Sequence, residues 1–248
     1  MFVEPIVLWE NDSLLILEKP PGLPSVEGKK TCSSIFSVTS WLKERSISAS
    51  FPFYQHSDGG LCHRLDTETS GLMVAAKTIA AYESLRSLFS NQRISKGYLA
   101  IVEGRPKNSN FQDAIFSGRY RRSQKVSVRP VPIQPSTETS NRSQYGALLW
   151  CLDTHLAAFN ASLLSIDLFT GVRHQIRAQL AFLGHPLLGD SLYGSKRALE
   201  EVLQTTSPFP SLKRDFFLHA DRISFSWEGE ENDMQYFSPA SLTLKSSN

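Results

Sequence analysis

The sequence predicts an α+β fold, in which β-strands come in runs and helices occur between them at irregular intervals. Short apolar runs bounded by Gly, Pro or Asn recur along the whole chain, whereas helical spacing of apolar residues is confined to three segments. No internal repeat and no regular strand–helix–strand series is present. A chain of 248 residues, 41% of them hydrophobic, can bury a full core as one large domain or two small ones.

The first part of the chain predicts two strands, a loop and a helix. Residues 6–8 and 14–18 are apolar runs, and the turn-forming pair Asn11-Asp12 separates them. The segment KPPGLPS, residues 19–25, contains several prolines and a glycine, so it is a loop, either ordered or flexible. Apolar residues at helical spacing over residues 35–42 predict the first helix.

The stretch GGLCHRLDTETSGLMVAAKT, residues 59–78, predicts a tight turn, a strand and the start of a helix. Its glycine pair allows the turn, and the apolar run over residues 72–76 is typical of a strand. Thr78 is suited to cap the helix that follows. One side of that helix carries Ile79, Tyr82, Leu85, Leu88 and Phe89.

The second half of the chain predicts further strands and one more helix. Residues 97–102 read as a strand, residues 156–169 as one or two strands, and residues 216–227 as a final strand. Residues 172–183 predict a helix with Gly184 at the C′ position, where a left-handed glycine commonly ends a helix.

The segment over residues 117–144 differs in composition from the rest. Its first half is rich in arginine and predicts a basic hairpin, and its Pro/Ser/Thr-rich second half predicts a mobile loop. Two interpretations of the charge stay open: a solvated face, or an arm that contacts phosphates and stacks on bases. The residues concerned are Arg119, Tyr120, Arg121, Arg122, Lys125 and Arg129.

Composition limits the class of protein. No apolar stretch approaches the roughly 20 residues that a transmembrane helix needs, and the N-terminus does not resemble a signal peptide. Three widely spaced cysteines, Cys32, Cys62 and Cys151, form neither a disulfide framework nor a zinc knuckle, which favours a reducing compartment such as the cytoplasm. A net charge of +2 does not by itself indicate nucleic-acid binding.

Asp66 is a single carboxylate among small polar residues. Such an aspartate is most often a cap or turn residue. Alternatively, Thr67, Thr69 and Ser70 would donate hydrogen bonds to the carboxylate and fix its rotamer, as a nucleophile or base requires. No second carboxylate lies at a defined spacing, so the two-carboxylate scheme of glycosidases is not supported.

No motif indicates a metal or a cofactor. The histidines at positions 63, 174, 185 and 219 have no metal-ligand spacing, and a structural role is the more frequent one for each. No phosphate-binding or dinucleotide-binding glycine motif and no GxSxG are present. On the predicted helix, Arg173 and Arg177 would share a side. Tyr98, in SKGYLAIVEG, is by default a half-buried strand tyrosine.

Three stretches in this order resemble the RluA-type family of pseudouridine synthases. HRLDTETSGLMVAAKT is similar to the family signature HRLDxxTSGLLLxAK, and SKGYLAIVEG to KxYLAxVxG. TGVRHQIRAQLAFLGHPLLGDSLYG is similar to TGRxHQIRxHLxxxGHPIxGDxxYG. EKPPGLPS and FLHADRISF resemble two further family segments, so the likeness extends from about Leu14 to Phe225.

The resemblance implies a role for each matching residue. Asp66 would be the nucleophile that lets the glycosidic bond of uridine break, so that uracil can rejoin the ribose through carbon. Arg64 would help to hold the target nucleotide flipped out of a duplex. Tyr98 would lie against the base and take part in removing its C5 proton. Arg177 would pair with Asp66, and no metal or cofactor would be needed.

The resemblance also implies RNA, ribosomal or transfer, as the partner of a monomeric protein without a membrane contact. The expected fold is a curved, mixed, mainly antiparallel sheet flanked by helices and loops. The expectation is that no S4 RNA-binding module precedes Leu14 and that residues 1–248 are one catalytic domain. The residues expected to contact RNA are His63, Arg64, Thr69, Lys96, Arg119, Arg121, Arg122, Lys125, Arg173 and His174.

Two positions depart from the family pattern. Val172 stands where the family usually has arginine after Thr-Gly, so either Arg173 substitutes from the next position or a phosphate contact is lost. Gln179 stands where histidine is common. Neither change touches Asp66, Tyr98 or Arg177.

Two other classes of function remain as alternatives. The first is a non-catalytic RNA-binding protein or RNA chaperone on the same fold, against which the intact set of Asp66, Tyr98 and Arg177 argues. The second is a nucleoside- or carbohydrate-processing hydrolase with Asp66 as nucleophile. That hydrolase would lack a partner acid, and free nucleosides would not explain the basic segment.

Overall fold

The computed structural model describes residues 3–27, 36–45, 59–106, 115–119, 125–130, 143–202, 215–227 and 233–239. The chain divides into two compact units. Unit 1 comprises residues 1–95, 206–213 and 219–241, and unit 2 comprises residues 96–205, 214–218 and 242–248.

The described residues form eleven strands and three α-helices, with short 3₁₀ turns between some of them. In chain order they are β1 (Ile6–Glu10), β2 (Leu14–Lys19), α1 (Val38–Arg45), β3 (Ser70–Ala76), α2 (Ile79–Ser90), β4 (Ser95–Glu103), β5 (Ile115–Arg119), β6 (Val126–Pro130), β7 (Ser143–Gly146), β8 (Leu148–Leu156), β9 (Ala161–Leu168), α3 (Gln175–Phe182), β10 (Leu218–Phe225) and β11 (Met234–Phe237).

The strands of unit 1 lie in the order β1-β2-β3-β10, and β11 pairs with β10. β3 and β10 are parallel, whereas the other neighbours are antiparallel. Every residue of β2 and β3 is buried. The parallel pair depends on Gly71, whose φ is +115°, because a Cβ there would overlap the backbone of Ala220.

Short-range signals define the ends of the unit 1 elements. Asn11 Oδ1 accepts hydrogen bonds from the backbone N–H groups of Ser13 (2.8 Å) and Leu14 (2.7 Å), which makes the β1–β2 turn. Thr78 Oγ1 accepts from Ala81 N at 3.1 Å, so the predicted helix cap is confirmed. Ile79, the first residue of α2, is in contrast 49% exposed. The helix buries Ala81, Tyr82 and Leu85 instead.

In unit 2, β4, β9 and β8 form consecutive antiparallel pairs. Ile101 of β4 and Ala161 of β9 belong to a buried apolar cluster together with residues that follow α3. The other members of this cluster are Leu188, Leu199, Val202 and Phe217. The loop after α3 is therefore part of the core of unit 2.

A second sheet of unit 2 has the strand order β6-β5-β7, and we call it the arm sheet. Arg119 of β5 is opposite Val126 of β6 in an antiparallel pair. The side chain of Arg119, together with Arg121, Arg122 and residues 131–142 of the predicted mobile loop, lies outside the described residues. Residues 143 and 144, the last two of that predicted loop, belong to strand β7 instead.

Helix α3 begins at Gln175, three residues later than the sequence predicts. His174 has left-handed backbone angles (φ 54°, ψ 22°), so the predicted helix cannot continue through it. The prediction that Arg173 and Arg177 share a helix side is therefore wrong, because Arg173 precedes the helix. Gly184 follows the last turn with φ +87°, as predicted for a C′ residue.

The fold class predicted from the sequence is confirmed: the described part is α+β, with mixed but mainly antiparallel strand pairing. The strands β7, β8 and β11 were not predicted. β7 and β11 have only four residues each, and each is a strand through its pairing, β7 with β5 and β11 with β10. β8 joins the sheet through its antiparallel pairing with β9.

Candidate active site

Asp66 lies in a tight turn directly before β3. The backbone N–H of Thr69 donates to the carbonyl oxygen of Asp66 at 3.1 Å, which closes a four-residue turn. The Asp66 side chain is half-buried, and the neighbouring Arg64 is exposed. The turn thus presents a carboxylate beside a solvent-accessible guanidinium.

The ammonium group of Lys19 holds this turn in place. Lys19 Nζ donates to the carbonyl oxygens of Pro20 (2.8 Å), Leu23 (2.7 Å) and Thr67 (2.9 Å). Lys19 is fully buried. A buried ammonium is costly unless its donors are satisfied, and here three carbonyl dipoles satisfy all three N–H groups. Since Thr67 follows Asp66, this contact fixes the backbone beside the carboxylate.

The proline-rich loop over residues 20–25 supports the same turn from its other end. Ser25 Oγ donates to the Leu65 carbonyl oxygen at 2.7 Å and accepts from Leu65 N at 3.1 Å. Gly22 N donates to the Thr67 carbonyl oxygen at 2.9 Å. The loop is therefore ordered, which decides between the two possibilities that the sequence left open.

Ser70, the first residue of β3, takes part in a buried polar chain. Its hydroxyl lies 2.8 Å from His219 Nδ1, and His219 Nε2 lies 2.8 Å from Ser238 Oγ. Ser238 Oγ donates to the carboxylate of the buried Glu18, 2.8 Å away. Because Ser238 uses its hydrogen on Glu18, the network places the proton of a neutral His219 on Nε2, and Nδ1 then accepts from Ser70.

His63 supports the turn and Thr69 is enclosed by it. His63 Nε2 accepts from Val74 N at 3.0 Å, and the ring stacks on Phe89 with centroids 4.7 Å apart. Thr69 is 2% exposed, and its hydroxyl oxygen has no hydrogen-bond partner among the described residues. The expected hydrogen bond from Thr69 to the carboxylate is thus not formed. RNA contacts by His63 and Thr69 stay predictions.

In unit 2, Tyr98 and Lys96 lie two residues apart on β4 and therefore on one face of the strand. Tyr98 is 8% exposed. Lys96 Nζ donates to the carbonyl oxygen of Thr170 at 3.0 Å. Burial lowers the pKa of Lys96 from its ordinary value of 10.5. Lys96 is thus a partly desolvated cation beside the Thr-Gly turn.

Arg177 forms a buried bidentate ion pair with Asp190. Its Nε donates to Oδ2 at 2.7 Å and its Nη2 to Oδ1 at 3.0 Å. The guanidinium carbon lies 4.5 Å from the ring centroid of Phe216 and 5.2 Å from that of Tyr193. The plane of the guanidinium is therefore fixed by two hydrogen bonds and two aromatic contacts.

The Thr-Gly turn before α3 is held by Gln175. Gln175 Oε1 accepts from Thr170 Oγ1 (2.8 Å) and from Val172 N (3.0 Å), and its Nε2 donates to the Ala147 carbonyl oxygen (3.1 Å). Arg173 is exposed in this turn. The family has arginine at the position that Val172 occupies here. The exposed cation of this chain, Arg173, therefore lies one position later.

Gln179, the second departure from the family pattern, has a structural contact. Its Nε2 donates to the Gly146 carbonyl oxygen at 2.9 Å, at the end of β7. Gln179 is 1% exposed, and its Oε1 has no partner in the described part of the chain. Gln179 therefore anchors the arm sheet to α3.

In the described ranges, no group of three or more His, Cys, Asp or Glu side chains could hold a metal ion.

No described helix is both long and apolar enough to cross a membrane. Cys62 and Cys151 form no disulfide bond within the described part of the chain. Lys125, a predicted RNA contact, is exposed at the start of the arm-sheet strand β6.

Comparison with known proteins identifies the family. A family model described as RNA pseudouridylate synthase matches residues 13–182, which is more than half of the 248 residues. The chain belongs to the RNA pseudouridylate synthase family, and the resemblance to RluA-type enzymes is confirmed.

Two curated relatives and one solved structure illustrate the likeness. Ribosomal large subunit pseudouridine synthase C of Rickettsia prowazekii is 31% identical over 223 residues, which are 89% of this chain and 63% of the relative. Ribosomal large subunit pseudouridine synthase D of Zymomonas mobilis is 35% identical over 147 residues, 59% of this chain and 43% of the relative. The chain thus spans less than two thirds of either relative.

The solved structure of human RNA pseudouridylate synthase domain containing 1 has the same fold. Its TM-score is 0.68 at 21% sequence identity, and the match covers 98% of this chain and 91% of the human chain. At this identity the likeness concerns the fold.

Sequence reasoning missed several residues that organise the site. Asp190 and Tyr193 lie in the quoted segment GDSLYG, but nothing in their spacing shows that they contact Arg177. Lys19 lies in the quoted segment EKPPGLPS, and its role depends on Thr67, 48 residues away. Only the family motifs signalled that these segments matter.

We expect Lys19→Met to destabilise the protein by about 2–4 kcal/mol, because three buried carbonyl oxygens would lose their donor. Urea denaturation measures this change. Lys43→Met is the matched control: Lys43 pairs with Glu27 at 3.4 Å while 32% exposed, so its loss is expected to cost less than about 1 kcal/mol. Equal stabilities of the two variants would contradict the role assigned to Lys19.

The lowered pKa of Lys96 predicts a pH dependence of stability. Between that pKa and 10.5, the unfolded chain binds more protons at this position than the folded chain, so Lys96 makes stability rise with pH. We expect the free energy of unfolding of the wild type, minus that of Lys96→Met, to increase as pH rises toward 10.5. Urea denaturation of both proteins at several pH values tests this, and a flat or falling difference would contradict it.

Proposed function

We propose that this chain is an RNA pseudouridine synthase that isomerises uridine to pseudouridine in structured RNA. The observation that carries the proposal is the Asp66 turn, in which the family's motif is held rigidly by Lys19 and Ser25. A nucleophile needs such preorganisation, because its position relative to the reacting atoms decides the rate. A protein that only binds RNA has no use for a backbone turn that is fixed in this way around a carboxylate residue.

The reaction assigns a role to each of three residues. Asp66 acts as the nucleophile: a bond forms between its carboxylate oxygen and C1′ while the bond between C1′ and N1 of uridine breaks, and the detached uracil turns. A bond then forms between C1′ and C5 while the bond to Asp66 breaks, N1 gains a proton, and C5 loses one with the participation of Tyr98. Since substrate and product are isomers, no oxidant, reductant or group donor is required, and we propose a reaction without metal or cofactor.

Arg177 is proposed to pair with the Asp66 carboxylate. The guanidinium donates two hydrogen bonds to Asp190, and these fix its direction. Asp190 and the two rings would then serve to aim the guanidinium.

The proposed substrate is ribosomal RNA or transfer RNA. The two curated relatives named above are ribosomal large subunit pseudouridine synthases, which favours ribosomal RNA. A uridine inside a duplex must be flipped out before its C5 can react, and the exposed Arg64 is suited to enter the vacated position. Lys96, Lys125 and Arg173 supply cations for phosphates, as do Arg119, Arg121 and Arg122 of the basic segment. His174 is the remaining proposed contact.

The remaining expectations belong to the same proposal. We propose a monomeric, cytoplasmic enzyme in which residues 1–248 act as one catalytic domain.

We expect Asp66→Asn to abolish release of tritium from RNA that carries the label at uridine C5, a loss of at least about a thousandfold. The side chain of Asn has nearly the size of that of Asp, but its neutral amide is a much weaker nucleophile than a carboxylate. Asp153→Asn, a change at an exposed position of β8, is the matched control and should retain wild-type release.

Retention of the labelled RNA on a filter separates the alternatives. If the wild type and Asp66→Asn both bind RNA and neither releases tritium, the protein is an RNA-binding protein and the proposal is wrong. Tritium release by Asp66→Asn at the wild-type rate would also overturn the role of Asp66.

A further inference from the structure

Tyr193 connects the arm sheet to α3. Its hydroxyl accepts a hydrogen bond from Val126 N, the first residue of β6, at 2.9 Å. The same hydroxyl lies 3.0 Å from His174 Nδ1, at the N-terminal end of α3. One oxygen atom thus joins a strand of the arm sheet to the residue that precedes α3.

The ring of Tyr193 contacts Arg177. The guanidinium carbon of Arg177 lies 5.2 Å from the ring centroid of Tyr193, within the range of a cation–π contact. Asp190 precedes Tyr193 by three residues and forms the bidentate pair with the same guanidinium. The short segment from Asp190 to Tyr193 therefore controls both the direction and the plane of Arg177.

The hydroxyl contact lies at the basic part of the arm sheet. Lys125, which precedes Val126, is exposed. Arg119 of β5 is opposite Val126 in the strand register. The hydrogen bond that the Val126 amide donates to Tyr193 therefore fixes the backbone directly after Lys125 and opposite Arg119 in the strand register. These cations suit the phosphates of an RNA backbone.

We propose that Tyr193 is a positioning residue with two separable functions: its hydroxyl places the arm sheet for RNA binding, and its ring places Arg177 for the reaction. This inference rests on the proposed function for its RNA and its reaction. The two functions use different atoms of one side chain, so substitutions can separate them.

Two variants of Tyr193 test the division. Tyr193→Phe keeps the ring and removes only the hydroxyl, which leaves the Val126 amide and His174 without that partner. Tyr193→Leu removes the ring as well and keeps an apolar side chain. Tyr236→Phe is the matched control, because it also removes a tyrosine hydroxyl but lies in β11 of unit 1.

The assay uses large-subunit ribosomal RNA transcribed in vitro with tritium at uridine C5. For Tyr193→Phe we expect about fivefold to tenfold weaker RNA retention and a correspondingly higher KM, with the rate at saturating RNA lowered by no more than about twofold. For Tyr193→Leu we expect the same loss of affinity and, in addition, a saturating rate lower by about tenfold or more. Tyr236→Phe should match the wild type in both quantities.

Hydrogen exchange of the protein without RNA gives a second readout. We expect the Val126 amide to exchange faster in Tyr193→Phe than in the wild type, because its acceptor is gone. This readout does not depend on the reaction and remains informative if Tyr193→Leu fails to fold. Unchanged Val126 exchange would overturn the role of the hydroxyl.

The kinetic outcomes are also decisive. Wild-type affinity in Tyr193→Phe, or an equal fall in saturating rate in Tyr193→Phe and Tyr193→Leu, would overturn the division between hydroxyl and ring. Failure of the proposed function can be told apart from failure of this inference. In the first case the wild type releases no tritium, while the Val126 amide still exchanges faster in Tyr193→Phe than in the wild type.

Discussion

The organisation of the Asp66 turn depends on one buried cation. The Lys19 ammonium is fully buried and donates to three carbonyl oxygens, two in its own loop and one at Thr67. A desolvated charge tolerates few alternative arrangements, because a lost partner leaves a donor unsatisfied in the interior. The charge that makes Lys19 costly to bury therefore also restricts the loop to one position, in which all three carbonyl oxygens are in reach. On the opposite side of the turn, Ser70 is tied to His219, and β3 begins in a fixed register.

Arg177 shows the same principle in unit 2. Its ion pair with Asp190 is almost fully buried, with side-chain exposures of 9% and 1%. Buried ion pairs contribute little net stability, since desolvation offsets the Coulomb attraction, but their geometry is directional. Phe216 and Tyr193 add contacts to the guanidinium. We infer that this group is built for orientation rather than for stability.

Features with local causes could be predicted from the sequence, and features with distant causes could not. The Thr78 cap and the terminating Gly184 each depend on neighbouring backbone groups, and both predictions were correct. The helix over residues 172–183 was predicted too long, because side-chain contacts in the preceding turn replace its first turn. The pairing of Arg177 with Asp190 joins residues 13 apart across the end of a helix, and no periodicity reports it. Family motifs identified the site, whereas the contacts that hold it came from the fold.

The central claim is that the chain isomerises uridine within RNA, and nucleoside analysis tests it most directly. Large-subunit ribosomal RNA transcribed in vitro would be incubated with the wild type, digested to nucleosides and separated, with free bases collected before digestion. The account predicts that the pseudouridine formed equals the uridine lost and that no free uracil appears. Free uracil with a matching loss of uridine would instead show a hydrolase, and unchanged nucleosides in RNA that the protein retains would show a binding protein. Either result would contradict the account.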